Sequence, residues 1–148
     1  MIEVIVKLRF NNHCLGNCRR QRISEFLHDP NGKVMFLPTW WESIMRYAAK
    51  LLNRHQSNVK SIDWDPVVVG EPTEYRRFYA QGRFCTHEAF LPGDTIAVHA
   101  VIPATIPLDD FRELLDIAGS YKGMSPYKPE NKYGTFEVLD VSRRKRHQ

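Results

Sequence analysis

Three groups of residues in this 148-residue chain have the types and spacing to do chemistry. The first is the stretch 121–134, with three lysines, three tyrosines, two glycines and two prolines. Lysines neutralise phosphates, tyrosines offer faces on which bases stack, and glycines let backbone N–H groups approach a ligand closely. Tyr121, Lys122, Gly123, Tyr127, Lys128, Lys132 and Tyr133 thus read as a cradle for single-stranded nucleic acid. The plainer alternative is a loop packed by its own tyrosines. The second group is cationic. Arg46, Lys50 and Arg54 fall at i, i+4 and i+8, a ridge that would equally suit a solvated helix face. Arg143, Arg144, Lys145 and Arg146 form a terminal cluster able to meet phosphates or merely aid solubility. The third group has the softness of a zinc set: Cys14 and Cys18 spaced C-x3-C, with Cys85 and His87 spaced C-x-H. That spacing matches no familiar finger, and cysteine is commonly just buried. No metal and no cofactor is expected.

Composition narrows the classes. Hydrophobic residues make up 43% and charged residues 26%, as in an ordinary soluble protein. No apolar run approaches the ~18 residues of a membrane helix, and the N-terminus lacks the layout of a signal peptide. Three cysteines do not make a secreted disulfide framework. A cytoplasmic protein with no membrane partner is the expectation. Net charge is +4, but the tail holds four of the 21 basic residues, and removing them leaves 17 against 17 acidic. The basic character belongs to the tail. No P-loop, G-x-G-x-x-G, HExxH or nucleophile-elbow motif is present.

The elements that must position these residues show in the pattern. Ile2, Val4, Val6, Leu8 and Phe10 alternate with Glu3, Lys7 and Arg9, which predicts a strand with one buried face. Asp29-Pro30-Asn31-Gly32 is a turn followed by a short extended entry. A helix opens at residues 38–42, where Thr39 and Glu42 have capping-box spacing, and Ile44, Met45, Ala48, Leu51 and Leu52 form its apolar face. One of Trp40 and Trp41 is expected in the core and the other half-buried. Residues 56–73 read as a connector. Residues 75–90 and 95–102 are extended and joined by Pro92-Gly93 turn chemistry, which predicts a hairpin. A second helix follows Pro107, with Gly119 at its C′ position, and a last strand spans 135–141. Strand, helix, strand, strand, helix, strand is an α+β, ferredoxin-like βαββαβ arrangement. It implies a four-stranded antiparallel sheet in order 4-1-3-2, both helices on one face, and a glycine-rich loop before the last strand. Residues 1–141 would form this single domain and 142–148 a basic tail. In that topology the 13–18 turn lies beside the 121–134 loop, which is long for a helix-to-strand connection.

The helix, glycine-containing loop and strand over residues 111–141, with Gly119, Gly123 and Gly134, resemble the signature of the RAMP superfamily. Those are the CRISPR-associated ferredoxin-like proteins that form effector backbones and process guide RNA. The block 29–38 before a helix carrying Arg46, and the stretch 83–95, are similar in the same order. Departures are Thr39-Trp40-Trp41-Glu42 at the first helix and Lys132-Tyr133-Gly134-Thr135 at the loop's end, and the chain is short. A stand-alone, virus- or mobile-element-encoded relative fits this pattern. The resemblance implies binding of single-stranded nucleic acid, RNA ahead of DNA, by a non-catalytic protein. Self-assembly along the strand or membership of a ribonucleoprotein complex would follow. Processing members cleave RNA without metal through a histidine base, which makes His13 and His28 candidates with Tyr121 and Lys122 as phosphate partners. Nothing local marks either histidine, so no catalytic residue is assigned. The remaining alternative is a protein-interaction module or inhibitor acting on a ribonucleoprotein complex.

Overall fold

The computed structural model describes residues 1–16, 18–20, 23–72, 74–80, 83–124 and 132–144. The elements run β1 (Ile2–Phe10), β2 (Cys14–Leu15), β3 (Cys18–Arg20), β4 (Ile23–Glu25), β5 (Leu27–His28), β6 (Val34–Met35) and α1 (Pro38–Leu51). A 3-10 helix (Gln56–Ser61), β7 (Asp63–Trp64), β8 (Glu74–Ala80), β9 (Arg83–Phe90), β10 (Thr95–Ile102), α2 (Leu108–Tyr121) and β11 (Phe136–Arg143) follow.

The first sheet is antiparallel and has the order β11-β1-β10-β7. Alternation along β1 and β10 puts Val4, Val6, Leu8, Phe10, Ile96, Val98, Ala100 and Ile102 on one face, all buried. Both helices cover that face. Trp41 of α1 stacks on Trp64 of β7 with ring centroids 4.5 Å apart, and Phe111 of α2 meets the same indole at 5.7 Å. Burying such rings contributes roughly 1.5–3 kcal/mol each. The other face carries the polar residues, where Arg9 pairs with Glu137 and Arg144 reaches His99 at 3.1 Å.

A second, mixed sheet joins β2, β9, β4, β3 and β8. Here the structure corrects the expected topology. Residues 75–90 are not one strand of the main sheet. They are two strands, β8 and β9, paired with each other. The turn before β10 does form, with Gly93 at φ +90° and Asp94 N–H donating to Leu91 O at 3.0 Å. It carries the chain from one sheet to the other instead of closing a hairpin, because β9 pairs with β2, β4 and β8 whereas β10 pairs with β1 and β7. The second place in the main sheet belongs to β7, from within the expected connector. The 29–32 turn forms as expected and closes a hairpin, β5–β6, with the Asp29 carboxylate accepting from Asn31 and Lys33 N–H.

Two helix ends also differ. α1 starts at Pro38 with Leu37 as N-cap and no side-chain cap, so Thr39 does not act as one. Proline at the first helical position replaces it, since its missing N–H would have gone unpaired anyway. α2 runs through Gly119 to Tyr121, and Gly123 at φ +74° is the left-handed residue that ends it, its N–H donating to Ala118 O at 2.8 Å. Gly119 is glycine for another reason: a Cβ there would collide with the Phe136 ring.

Candidate nucleic-acid interface

The 121–134 segment leaves α2 and enters β11 through a tight stem. Met124 N–H donates to Gly134 O, and Gly134 N–H donates to His13 O at 2.7 Å. Gly123 and Gly134 lie back to back. A Cβ on Gly123 would come within 2.6 Å of the Gly134 carbonyl carbon, and one on Gly134 within 2.6 Å of Met124 O. Both have positive φ, so neither position suits another residue. The stem therefore sits against the 13–16 turn, where Cys14 Sγ donates to Met124 O at 3.3 Å. Burial pushes the Cys14 thiol far above its ordinary range, which keeps it a thiol.

On the helix side of the stem, Lys122 leans over the Tyr47 ring of α1, its Nζ 5.6 Å from the centroid. Arg46, Tyr47, Lys50 and Lys122 line a groove of about 510 Å³ together with Thr39 and Glu42. Arg46 also holds Glu42 at 2.9 Å, a half-exposed i, i+4 pair of the kind worth little in water. Its Nε is buried with no hydrogen-bond partner among the described residues. Tyr121 is 61% exposed. Arg54 has left this ridge to pair with Glu113 of α2 at 3.2 Å.

On the sheet side, His13, Arg76, Phe78 and Tyr133 meet. Arg76 donates to His13 Nε2 at 2.8 Å and lies over the Phe78 ring at 4.7 Å. The His13 ring meets Phe78 at a tilt, centroids 4.9 Å apart, and Tyr133 meets Phe78 edge-on at 6.4 Å. Burial, then the Arg76 charge, lowers the His13 pKa, partly opposed by Glu74. Arg76 and Phe78 escaped the sequence reading. The i, i+2 spacing of cation and ring on one strand face was the available signal, masked by reading 75–90 as a single strand.

His28 is elsewhere. It sits on the β5–β6 hairpin with Nε2 3.3 Å from the buried Glu88 carboxylate. His13 and His28 thus belong to different clusters. The zinc set does not assemble among the described side chains. Cys14 lies opposite Phe90 and faces the main core, whereas Cys85 and His87 share the other face of β9 with Ala89. His87 is buried and bonds Gly16 O through Nδ1 at 2.7 Å. No group of three or more metal-ligating residues occurs among the described residues. Tyr127, Lys128, Lys145, Arg146 and the Cys18 side chain lie outside the described residues. Lys132 is exposed at φ +54°, and Arg143 ends β11, exposed, beside Arg144.

No protein-family model matches the chain, and no curated protein matches it in sequence. Solved structures do match in fold. A chain in the cryo-EM structure of the Type III-B Cmr-beta bound to cognate target RNA superposes with a TM-score of 0.62 at 12% identity. That match covers 96% of this chain and 60% of the other, so this chain spans less than two thirds of that neighbour. A chain of a Type IV-B CRISPR complex superposes with a TM-score of 0.60 at 10% identity, covering 95% of this chain and 90% of the other. The chain shares the mixed α+β fold of those CRISPR-complex chains. No helix among the described residues is long and apolar enough to cross a membrane.

Proposed function

We propose that this chain binds single-stranded RNA as a component of a ribonucleoprotein complex, by binding and not by catalysis. The observation that carries this reading is the groove beside the loop stem. It brings Lys122, from the end of α2, beside Arg46 and Lys50 of α1 around the Tyr47 ring. Three cations along one open groove suit a phosphate backbone, and the exposed ring of Tyr121, the chain neighbour of Lys122, suits a base. The fold likeness to a chain of a complex holding target RNA favours RNA over DNA. Lys128, Lys132, Tyr127, Tyr133 and the Arg143–Arg146 run would extend the contact along the strand. Self-assembly along RNA is part of this proposal, since β8 and β11 each end a sheet with an edge unpaired among the described residues.

The test is anisotropy of a labelled single-stranded RNA titrated at several salt concentrations. Replacing Arg46, Lys50 and Lys122 together with alanine should flatten the salt dependence by about 2 in log–log slope, at ~0.7 per lost phosphate contact. An unchanged slope would remove the groove from the interface. Absence of any RNA binding by the parent protein would overturn the reading and favour the protein-interaction alternative.

A further inference from the structure

A separate cavity of about 420 Å³ opens between the β5–β6 hairpin, the 68–72 segment and the start of β8. Its size suits one nucleobase with part of its sugar, within the usual range for small-molecule pockets. The apolar wall is Val69 and Pro72, and Tyr75 contributes a ring that is 55% exposed. The polar end is the Glu88 carboxylate, whose side chain is only 4% exposed. Glu88 Oε1 accepts from Phe26 N–H at 3.0 Å and faces His28 Nε2, while Oε2 accepts from the Tyr75 hydroxyl at 2.8 Å. A carboxylate oxygen has two acceptor sites, so Oε2 retains one beyond the Tyr75 bond and Oε1 one beyond the Phe26 bond, on the side of His28. The Tyr75 hydroxyl can also exchange its bond for water.

We propose that this cavity takes a single guanine base of a bound RNA, its Watson–Crick edge on Glu88 and its ring on Tyr75. The inference rests on the RNA-binding reading. An acceptor-only group held in a low-dielectric pocket selects donors. Guanine alone presents two adjacent donors there, N1–H and the N2 amino group. Adenine and cytosine place a ring acceptor beside their one amino donor, and uracil flanks N3–H with two carbonyls that a carboxylate repels. Lys33 and Glu71 at the rim offset each other in charge, so a phosphate contributes little and the base decides. Stacking on an exposed tyrosine adds affinity without selectivity.

The experiment compares the four ribonucleoside monophosphates by calorimetry or NMR titration of the full chain, then repeats it with a guanine-bearing and an all-uridine oligonucleotide. GMP should bind roughly tenfold or more tightly than UMP, as one good base-edge contact discriminates. Tyr75→Ala, at an exposed ring, should weaken GMP and the guanine oligomer while leaving the uridine oligomer unchanged. Glu88→Gln should erase the GMP preference. Val69→Trp, which fills the cavity from an exposed wall position, gives the same loss without touching the buried carboxylate. Equal binding of all four nucleotides, or a guanine preference that survives Val69→Trp, overturns the proposal. Oligomers that bind equally regardless of base would sink the pocket and leave the groove reading standing. Failure of every oligomer to bind would sink both.

Discussion

The two sheets are built on different terms. The first has one face sealed by both helices, over a main cluster of 30 buried residues among those described, with the Trp41–Trp64 stack within it. The second holds a satellite cluster of three, Leu15, Phe78 and Ala89, with Tyr133 against it. Cys14 and Phe90 at its near edge join the main core, and toward β8 its contacts are polar or cation–ring pairs: Arg76 on Phe78, Arg77 over the exposed Phe84 ring at 5.9 Å, and Tyr75 on Glu88. Apolar burial is concentrated under the first sheet, whereas the candidate binding features lie on the outside of α1 beside the stem and on the second sheet. Surface elements with little apolar support open more easily than the body they rest on.

The largest expected contrast is in stability. Trp41→Ala should cost about 3–5 kcal/mol and weaken amide protection throughout β1 and β10, whereas Phe78→Ala should cost about 2 kcal/mol, at the low end for a small, collapsible site. Urea melts with hydrogen exchange read both. If Phe78→Ala melts the whole protein as Trp41→Ala does, the sheets are one cooperative unit and the contrast fails. Next comes the joint between them. Gly123→Ala should cost roughly 1–3 kcal/mol through its positive φ and the clash with Gly134. It should also lower RNA affinity by displacing Lys122, and unaltered affinity would show the groove independent of the stem. The smallest effect concerns His13. Its folded pKa lies below the ordinary ~6.5, so the unfolded chain takes up the proton first. Stability is therefore full above that value and falls as pH drops through it toward the depressed one. The denaturation midpoint should decline from pH 7.5 to 5 more in the parent than in His13→Gln. Equal slopes would remove Arg76 and burial as a pH-dependent constraint on that cluster.

The first sheet was far more legible in the sequence than the second, for a physical reason. A strand sealed on one face must alternate, and β1 and β10 do. An amphipathic helix must repeat every three or four residues, and α1 and α2 do. Trp41 is fully buried and Trp40 partly so, the division expected of that pair. Two-residue strands such as β2 and β7 have no period to read; β7 is held by Trp64 packing on Trp41, a contact distant in sequence. β8 carries charged and aromatic residues on both faces, and β9 buries His87, Glu88, Ala89 and Phe90 in succession, so neither alternates and their pattern announced only an extended chain. The approach of the 13–16 turn to the 121–134 stem did follow from topology. The groove with Arg46 and Lys50 did not, because it depends on how far α2 extends, and Gly119 looked like its end.

The back-to-back glycines fix the distance between the two points where the 125–131 segment departs and returns. That turns the stem into a socket. Residues inserted between its ends change what is presented without changing where it is presented, and doubling the length costs only about 0.6 kcal/mol in closure entropy. A descendant of this chain could therefore acquire a new binding preference by replacing those residues wholesale, leaving Lys122, Gly123, Gly134 and the sheet beneath them untouched.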